Sequence, residues 1–278
     1  MWTTGRNFDG RACMDQVEAG GRDDDARLRP PSLFLALSEA RAWQEFGASM
    51  AFAPLLMAAP RGDGHTVLVL PGFMASDAST RLLRAYLRMQ GYNAVGWELG
   101  RNTGGFYRMR ETLRARLARL HEGAGHKIAL VGWSLGGVFA RDLALAMPDV
   151  VRSVITLGSP FASDISATNA RRLYEEVTGE KPTDARPHDL RSLGGDLGLP
   201  TSSIYSRYDG VVHWKTSLAR ENDHTENIEI AFASHLGLGG HPAALWAIAD
   251  RLAQPEGKFA PFGRGGPFAL AYLRREPK

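Results

Sequence analysis

Cysteine is almost absent from this chain of 278 residues, and so are long uninterrupted apolar runs. The single cysteine, Cys13, excludes an intrachain disulfide framework and a zinc site built from several thiolates. The most apolar long segment, residues 32–60, carries two glutamates and an arginine, so it does not predict a membrane-spanning helix. The first 31 residues contain no apolar stretch typical of a secretory signal. We therefore expect a cytoplasmic protein.

An excess of one charge sign is lacking as well. The 33 lysines and arginines nearly balance the 30 aspartates and glutamates, for a net charge of +3, which is too weak to predict a nucleic-acid partner. Hydrophobic residues make up 44% of the chain, enough for one sizeable core. We expect one domain over residues 32–254, preceded by a polar, mobile arm (1–31) and followed by a C-terminal tail (255–278).

Apolar runs alternate with amphipathic stretches along the expected domain. The predicted strands are "TVLVLP", "NAVGWEL", "KIALVGW", "VRSVITLGSP", "SSIYSRYD" and "NIEIAFASH". The predicted helices span residues 78–90, 106–121, 134–147 and 242–252, with one helix or two more within 32–57. This alternation predicts an α/β fold with a mostly parallel central sheet of about six strands and helices on both faces.

Residues 161–200 interrupt the alternation. This polar segment contains one helix-like piece, "NARRLYEEV", and 40 residues is long for a connection between strands. It leaves the carboxyl end of a predicted strand, where open α/β sheets place their ligands. We expect it to form a cap over a functional site.

The pattern "GWSLG" at residues 132–136 places Ser134 between a predicted strand and a predicted helix. G-x-S-x-G in this context is typical of a nucleophile elbow, in which a sharp turn presents the serine hydroxyl. The flanking glycines, Gly132 and Gly136, would relieve crowding around a strained backbone. The alternative is that Ser134 is an ordinary helix N-cap.

A nucleophilic serine needs a base, and the base needs an acid that orients it. Asp209 follows the strand pattern "SSIYSRY", and His235 follows "NIEIAFAS", so each is expected at the same sheet edge as Ser134. The weaker candidates for the base are His213, His224 and His241.

An oxyanion hole requires two N–H donors near the nucleophile. Leu135, directly after the nucleophile, is the first predicted donor. Phe73, in the loop after the first strand, is the second, with Met74 as the alternative, because Pro71 has no N–H to donate.

The motifs "LVLPGFMAS", "VGWSLGG", "GSPF", "SRYDGVV" and "SHLGL", in that order, resemble the α/β-hydrolase family over residues 60–254. The resemblance is to its bacterial lipase- and esterase-like members. It implies a catalytic triad and two oxyanion donors, which are Ser134, Asp209 and His235, and Phe73 and Leu135. It implies no metal and no cofactor.

Two features depart from the family pattern. Pro71 stands where many members have a histidine before the glycine of this loop. The antiparallel strands that begin the full family sheet are not evident before Thr66, which implies a shortened sheet.

The sequence thus favours a serine carboxylic-ester hydrolase acting on an uncharged, mostly apolar ester of a small molecule or lipid. The candidate substrate-contacting residues are Met74, Trp133, Phe161 and Trp214. An acyltransferase or amidase with the same triad, or a non-catalytic binding protein of the same fold, stays open. Peripheral contact with a membrane or lipid interface and self-association also stay open.

Overall fold

A central sheet organises the chain in the computed structural model, which describes residues 28–162, 167–179 and 193–273. Most of the predicted arm, part of the segment 161–200 and the last five residues lie outside this range. The strands are β1 (Thr66–Leu70), β2 (Asn93–Gly96), β3 (Ile128–Trp133), β4 (Val151–Leu157), β5 (Thr201–Tyr205), β6 (Thr225–Ile230) and β7 (Tyr272–Leu273). Their order across the sheet is β2-β1-β3-β4-β5-β6-β7, and only β7 runs antiparallel to its neighbour.

Helices connect and cover the strands. The α-helices of the described residues are α1 (Leu33–Ser38), α2 (Ala42–Ala51), α3 (Ala53–Leu56), α4 (Arg81–Met89), α5 (Phe106–Ala124), α6 (Leu135–Ala146), α7 (Arg171–Thr178) and α8 (Pro242–Leu252). Short 3₁₀ turns occur at Glu39–Arg41, Trp214–Ser217 and Ala269–Ala271. None of the described helices combines the length and the apolar character that crossing a membrane requires.

Strand β1 shows why both faces of the sheet are covered. Its five residues are all buried, and alternate side chains point to opposite faces of a strand. Val67 and Val69 pack in one core cluster with residues of α4 and α8. Leu68 and Leu70 pack in a second cluster with residues of α5 and α6. The predicted α/β architecture with helices on both faces is therefore confirmed.

The strand order reverses direction next to β1. The chain passes from β1 outward to β2, then crosses to the other side of β1 to form β3 and the strands that follow. In open parallel sheets, the crevice at the carboxyl ends of the strands on either side of such a reversal is where ligands bind. Here those ends are followed by Pro71 and by Ser134.

The sheet has one strand more than predicted, because the tail returns to it. Tyr272 and Leu273 pair with Ile230 and Glu229 of β6, and Phe262 is buried in the same core cluster as Tyr272. A two-residue strand in an otherwise irregular tail is too short for an alternating pattern to reveal it.

Candidate active site

Ser134 lies on the turn between β3 and α6 with φ 52° and ψ −123°. Residues other than glycine rarely adopt a positive φ, and holding one there costs on the order of 1–3 kcal/mol. The Ser134 N–H donates to the carbonyl oxygen of Leu157 at 2.8 Å, which ties the turn to β4. Ser134 occupies the N-cap position of α6, but its side chain makes no capping hydrogen bond there, so capping does not account for the serine.

The glycines beside Ser134 allow α6 to begin against the ends of β1 and β3. A Cβ atom at Gly136 would overlap the carbonyl oxygen of Leu70, and one at Gly132 would overlap the carbonyl oxygen of Gly136. Close backbone approach therefore explains both glycines, whereas the strained dihedral angles are those of Ser134 itself.

Asp209 and His235, the predicted acid and base, form a buried hydrogen-bonded pair. His235 Nδ1 lies 2.6 Å from Asp209 Oδ2, and both side chains are almost completely excluded from solvent. The other carboxylate oxygen, Asp209 Oδ1, accepts from the N–H groups of Val211 at 2.9 Å and Val212 at 2.7 Å. These bonds orient the carboxylate and leave Oδ2 directed at the imidazole.

The surroundings of His235 alter its affinity for protons. Burial lowers the pKa of His235, whereas the charge and the hydrogen bond of Asp209 raise it, and the balance lies above the ordinary value of about 6.5. A histidine of this kind accepts a proton readily, as general-base chemistry requires.

Gly158, directly after β4, lies against the Asp209–His235 pair, and the residue before it contacts Ser134. Its φ is +52°, and a Cβ atom there would lie 3.0 Å from both Asp209 Oδ2 and His235 Nδ1. The preceding residue, Leu157, accepts the Ser134 N–H. The structure thus places Ser134, Asp209 and His235 at one edge of the sheet, around the end of β4.

The loop after β1 lies beside Ser134, where the oxyanion donors are predicted. A Cβ atom at Gly72 would lie 3.2 Å from Ser134 Cβ. The Met74 N–H is engaged by the carbonyl oxygen of Asn102 at 2.6 Å. The N–H groups of Phe73 and Leu135 have no acceptor among the described residues. Phe73 is therefore better placed than Met74 to donate to a ligand.

Comparison with family models and with curated proteins finds no match. Among solved structures, Aspergillus fumigatus lipase B superimposes with a TM-score of 0.51 at 14% identity, over 69% of this chain and 53% of that protein. A structure of the metagenome-derived lipolytic enzymes LipS and LipT superimposes with a TM-score of 0.50 at 16% identity, over 69% of this chain and 93% of that one. The chain has the α/β-hydrolase fold. Identities this low show a shared fold and do not assign an activity.

Asn102, which no sequence motif singles out, holds the loop after β1. Its Nδ2 donates to the carbonyl oxygen of Pro71 at 2.8 Å, and its main chain bonds Met74 and Ala75. The residue is fully buried, and its Oδ1 accepts from the Gly104 N–H at 3.1 Å. A single asparagine in a glycine-rich loop has no pattern to mark it, because its partners lie far away in the sequence.

The four candidate substrate-contacting residues have different surroundings. Trp133 is buried and its Nε1 donates to the carbonyl oxygen of His235 at 3.0 Å. Phe161 is fully buried, with the Arg141 guanidinium 4.2 Å from its ring centroid. These contacts are those of core residues, and substrate contact by Trp133 and Phe161 stays a prediction.

Met74 and Trp214 are the two more accessible candidates, and both are half-buried. Met74 lies next to Phe73 with a positive φ of 59°. Trp214 stacks on Tyr205 at the end of β5, with ring centroids 6.0 Å apart, and the Arg207 guanidinium lies 4.9 Å from its ring. Their contact with a substrate also stays a prediction.

The described part of the segment 161–200 packs near the site. Tyr174 of α7 contacts Phe73, with ring centroids 5.3 Å apart. A Cβ atom at Gly104 would lie 2.7 Å from Thr178 Cγ2, so α7 also lies directly over the loop that holds Asn102. That the segment 161–200 forms a cap over the site stays a prediction, and its residues 163–166 and 180–192 lie outside the described range.

The other histidines considered as the base have local partners. His213 Nδ1 accepts from the Lys215 N–H at 3.3 Å, and His241 Nδ1 accepts from the Ala243 N–H at 3.2 Å at the start of α8. His224 Nε2 lies 2.7 Å from Asp196 Oδ1. In the part of the chain that the structure describes, no three His, Cys, Asp or Glu side chains group as metal ligands would.

We predict that Gly136→Ala destabilises the fold by roughly 2–3 kcal/mol, because the new methyl group has to displace the main chain of β1. The matched control is Gly123→Ala in α5, where nothing lies within 4 Å of the added atom. That control should be neutral or stabilising by up to about 1 kcal/mol. Urea unfolding of both variants measures the difference, and equal stabilities would contradict the packing role of Gly136.

Proposed function

We propose that the protein is a serine carboxylic-ester hydrolase that acts through an acyl-enzyme on Ser134. The observation that carries this proposal is the buried 2.6 Å contact between His235 and Asp209 at the sheet edge where Ser134 lies strained. A serine hydroxyl is a weak nucleophile unless a base removes its proton, and that base has to be oriented by a third group. The chain provides one residue for each role, in the order Ser, Asp, His.

The proposed reaction has two halves. In the first, His235 Nε2 accepts the hydroxyl proton as Ser134 Oγ attacks the ester carbonyl carbon. Asp209 holds the Nδ1 proton, which fixes the tautomer and stabilises the imidazolium, and the imidazolium then protonates the leaving alcohol. In the second half, His235 takes a proton from a water molecule as the water oxygen attacks the acyl carbon. The bond from that carbon to Ser134 Oγ then breaks, Ser134 Oγ recovers a proton from His235, and the carboxylic acid is released.

The negative charge that develops on the carbonyl oxygen needs donors that are already in place. We assign this role to the N–H groups of Phe73 and Leu135, which have no acceptor among the described residues. Leu135 is the first residue of α6, so the positive end of the helix dipole adds to the stabilisation. Asn102 would keep the Phe73 N–H aligned by holding the residues on either side of it.

An uncharged, mostly apolar ester, of a small molecule or a lipid, is the substrate class that we propose. The aromatic contact between Phe73 and Tyr174 brings α7 to the predicted oxyanion loop. On the same helix, Leu173 and Val177 are 46% and 40% exposed. Partly exposed apolar side chains on the helix that contacts the predicted oxyanion loop favour binding of an acyl chain.

Ser134→Ala should lower the hydrolysis of p-nitrophenyl esters by about a thousandfold or more, because it removes the nucleophile. A scan from acetate to palmitate with the unchanged protein would give the acyl length to use. The matched control is Ser153→Ala. Ser153 lies near the start of β4, whereas Ser134 contacts Leu157 at the end of that strand, so this variant should keep full activity.

A fluorophosphonate probe tests the same assignment without a substrate. It should label the unchanged protein and Ser153→Ala, and fail to label Ser134→Ala. Near-full hydrolysis by a folded Ser134→Ala would contradict the proposal. Transfer of the acyl group to added alcohol in excess of hydrolysis would indicate an acyltransferase, and absence of labelling would indicate a non-catalytic protein.

The pH profile of kcat/KM should report the titration of His235. Activity should fall as the pH drops through the pKa of His235, since only the neutral imidazole accepts a proton, with a midpoint above about 6.5. Asp209→Asn should reduce kcat by about 10⁴-fold. It should also move the midpoint to lower pH, because burial, which lowers the pKa of His235, is then unopposed by that carboxylate. An unmoved midpoint would contradict this electrostatic role.

Asn102→Ala should lower kcat about tenfold to a hundredfold with little change in KM, because the loop bearing Phe73 loses its alignment. Asn93→Ala is the matched control, since the Asn93 side chain bonds Thr66 at the far end of the sheet. Steady-state kinetics and thermal unfolding of both variants separate misalignment from misfolding. A folded Asn102→Ala with the original kcat would refute the role.

A further inference from the structure

Glu39 reaches both of the loops that carry the acid–base pair. It lies in the 3₁₀ turn between α1 and α2, outside the sheet and its connecting helices, and is only 6% exposed. Its Oε1 accepts from the N–H groups of Gly210 at 2.7 Å and His235 at 2.9 Å. Its Oε2 accepts from the Leu236 N–H at 2.8 Å. One carboxylate therefore binds the main chain next to Asp209 and the main chain of His235 itself.

These contacts lie on a closely fitted interface. A Cβ atom at Gly210 would overlap the carbonyl group of Leu35, so the main chain of α1 rests directly on the loop that carries Asp209. A buried carboxylate that accepts three N–H bonds has most of its lost hydration replaced. The arrangement is a fixed junction between α1, the Asp209 loop and the His235 loop.

Two more charged side chains from α1 to α2 (residues 33–51, here called the N-terminal segment) bind these loops. Arg41 Nη2 donates to the carbonyl oxygens of Tyr208 at 2.6 Å and Ala233 at 3.2 Å, one on each loop. Glu45 Oε1 accepts from the Ser234 N–H at 2.8 Å. The segment thus holds donors and acceptors of both loops, and Glu39 is the member that binds His235 directly.

Charge adds to this geometric effect. Within the described part of the chain, the charged groups that contact His235 or its loop are Asp209 from the loop after β5 and Glu39, Arg41 and Glu45 from the N-terminal segment. The Glu39 carboxylate raises the pKa of His235 in addition to the larger effect of Asp209. Burial raises the pKa of Glu45 above its ordinary value.

We propose that Glu39 is a positioning residue for the acid–base pair: by binding both loops, it holds the His235 imidazole between Asp209 and Ser134. This inference rests on the proposed function for its catalytic consequence. Its structural content, that a carboxylate from the N-terminal segment sets the placement and charge environment of His235, can be measured without any substrate.

The first test is Glu39→Gln, which keeps the shape and one carbonyl oxygen but removes the charge and turns an N–H group toward Leu236. We expect kcat to fall about tenfold to a hundredfold with KM changed less than about threefold, because Glu39 does not bind the loop after β1 that bears Phe73. The matched control is Glu111→Gln, an exposed residue of α5 that pairs with Arg114, which should leave kcat unchanged.

The decisive measurement is an NMR titration of the imidazole nitrogens, which reports the protonation of His235. The His235 signal is assigned by its loss in His235→Gln. In Glu39→Gln, the titration midpoint should fall by about half a unit to one unit, whereas Glu111→Gln should not move it. A purely structural role would lower the thermal midpoint and the fraction labelled by fluorophosphonate without moving this titration. An unchanged titration midpoint of His235 together with an unchanged kcat would overturn the proposal.

Glu39→Asp is a second variant in case Glu39→Gln does not fold. It keeps the charge but shortens the side chain by one methylene, so kcat should fall while the His235 midpoint remains raised. A folded Glu39→Asp with the original kcat would overturn the positioning role. If the unchanged protein hydrolyses no ester but the midpoint still falls in Glu39→Gln, the inference about His235 survives and the proposed function fails.

Discussion

The buried contact between Asp209 and His235 is the interaction on which the arrangement of the site depends. Removing a carboxylate from water costs several kcal/mol unless hydrogen bonds and an opposite charge replace the water. The Val211 and Val212 N–H groups and the imidazole supply that replacement. Glycine suits position 158, because a Cβ atom there would lie only 3.0 Å from both members of the pair and the φ of +52° is unfavourable for other residues.

At Ser134, the packing of the surrounding elements offsets an unfavourable backbone conformation. Its positive φ is unfavourable by itself, and it persists because the buried strand β3 and the close start of α6 leave the turn no alternative. The hydroxyl is thereby presented at the carboxyl end of β3 rather than engaged as a cap. Strain at the serine and burial of the acid–base pair are both sustained by a sheet whose residues are almost all inaccessible.

The N-terminal segment shows how parts outside the sheet contribute to the site. The sequence predicts helices packed on the body within residues 32–57, and the structure contains α1, α2 and α3 there. The pattern of that segment does not reveal that its glutamates and arginine bind the loops of the acid–base pair. Glu39 and His235 are 196 positions apart in the chain, and no local periodicity reports a contact over such a distance.

The sequence by itself determined the elements whose side-chain pattern is local: the buried strands, the helices between them, and the strand–turn–helix around Ser134. It also placed Asp209 and His235 after later strands, because parallel strands bring their carboxyl ends to one edge. Only the tertiary structure decided what surrounds these residues. Its contributions are the close contacts of the glycines, the hydrogen bonds of Asn102 to the loop after β1, the contacts of Glu39 with both loops of the acid–base pair, and the short strand β7. Those features depend on which segments meet in space, and a buried polar residue has the same letter in the sequence whether its partners are near or far.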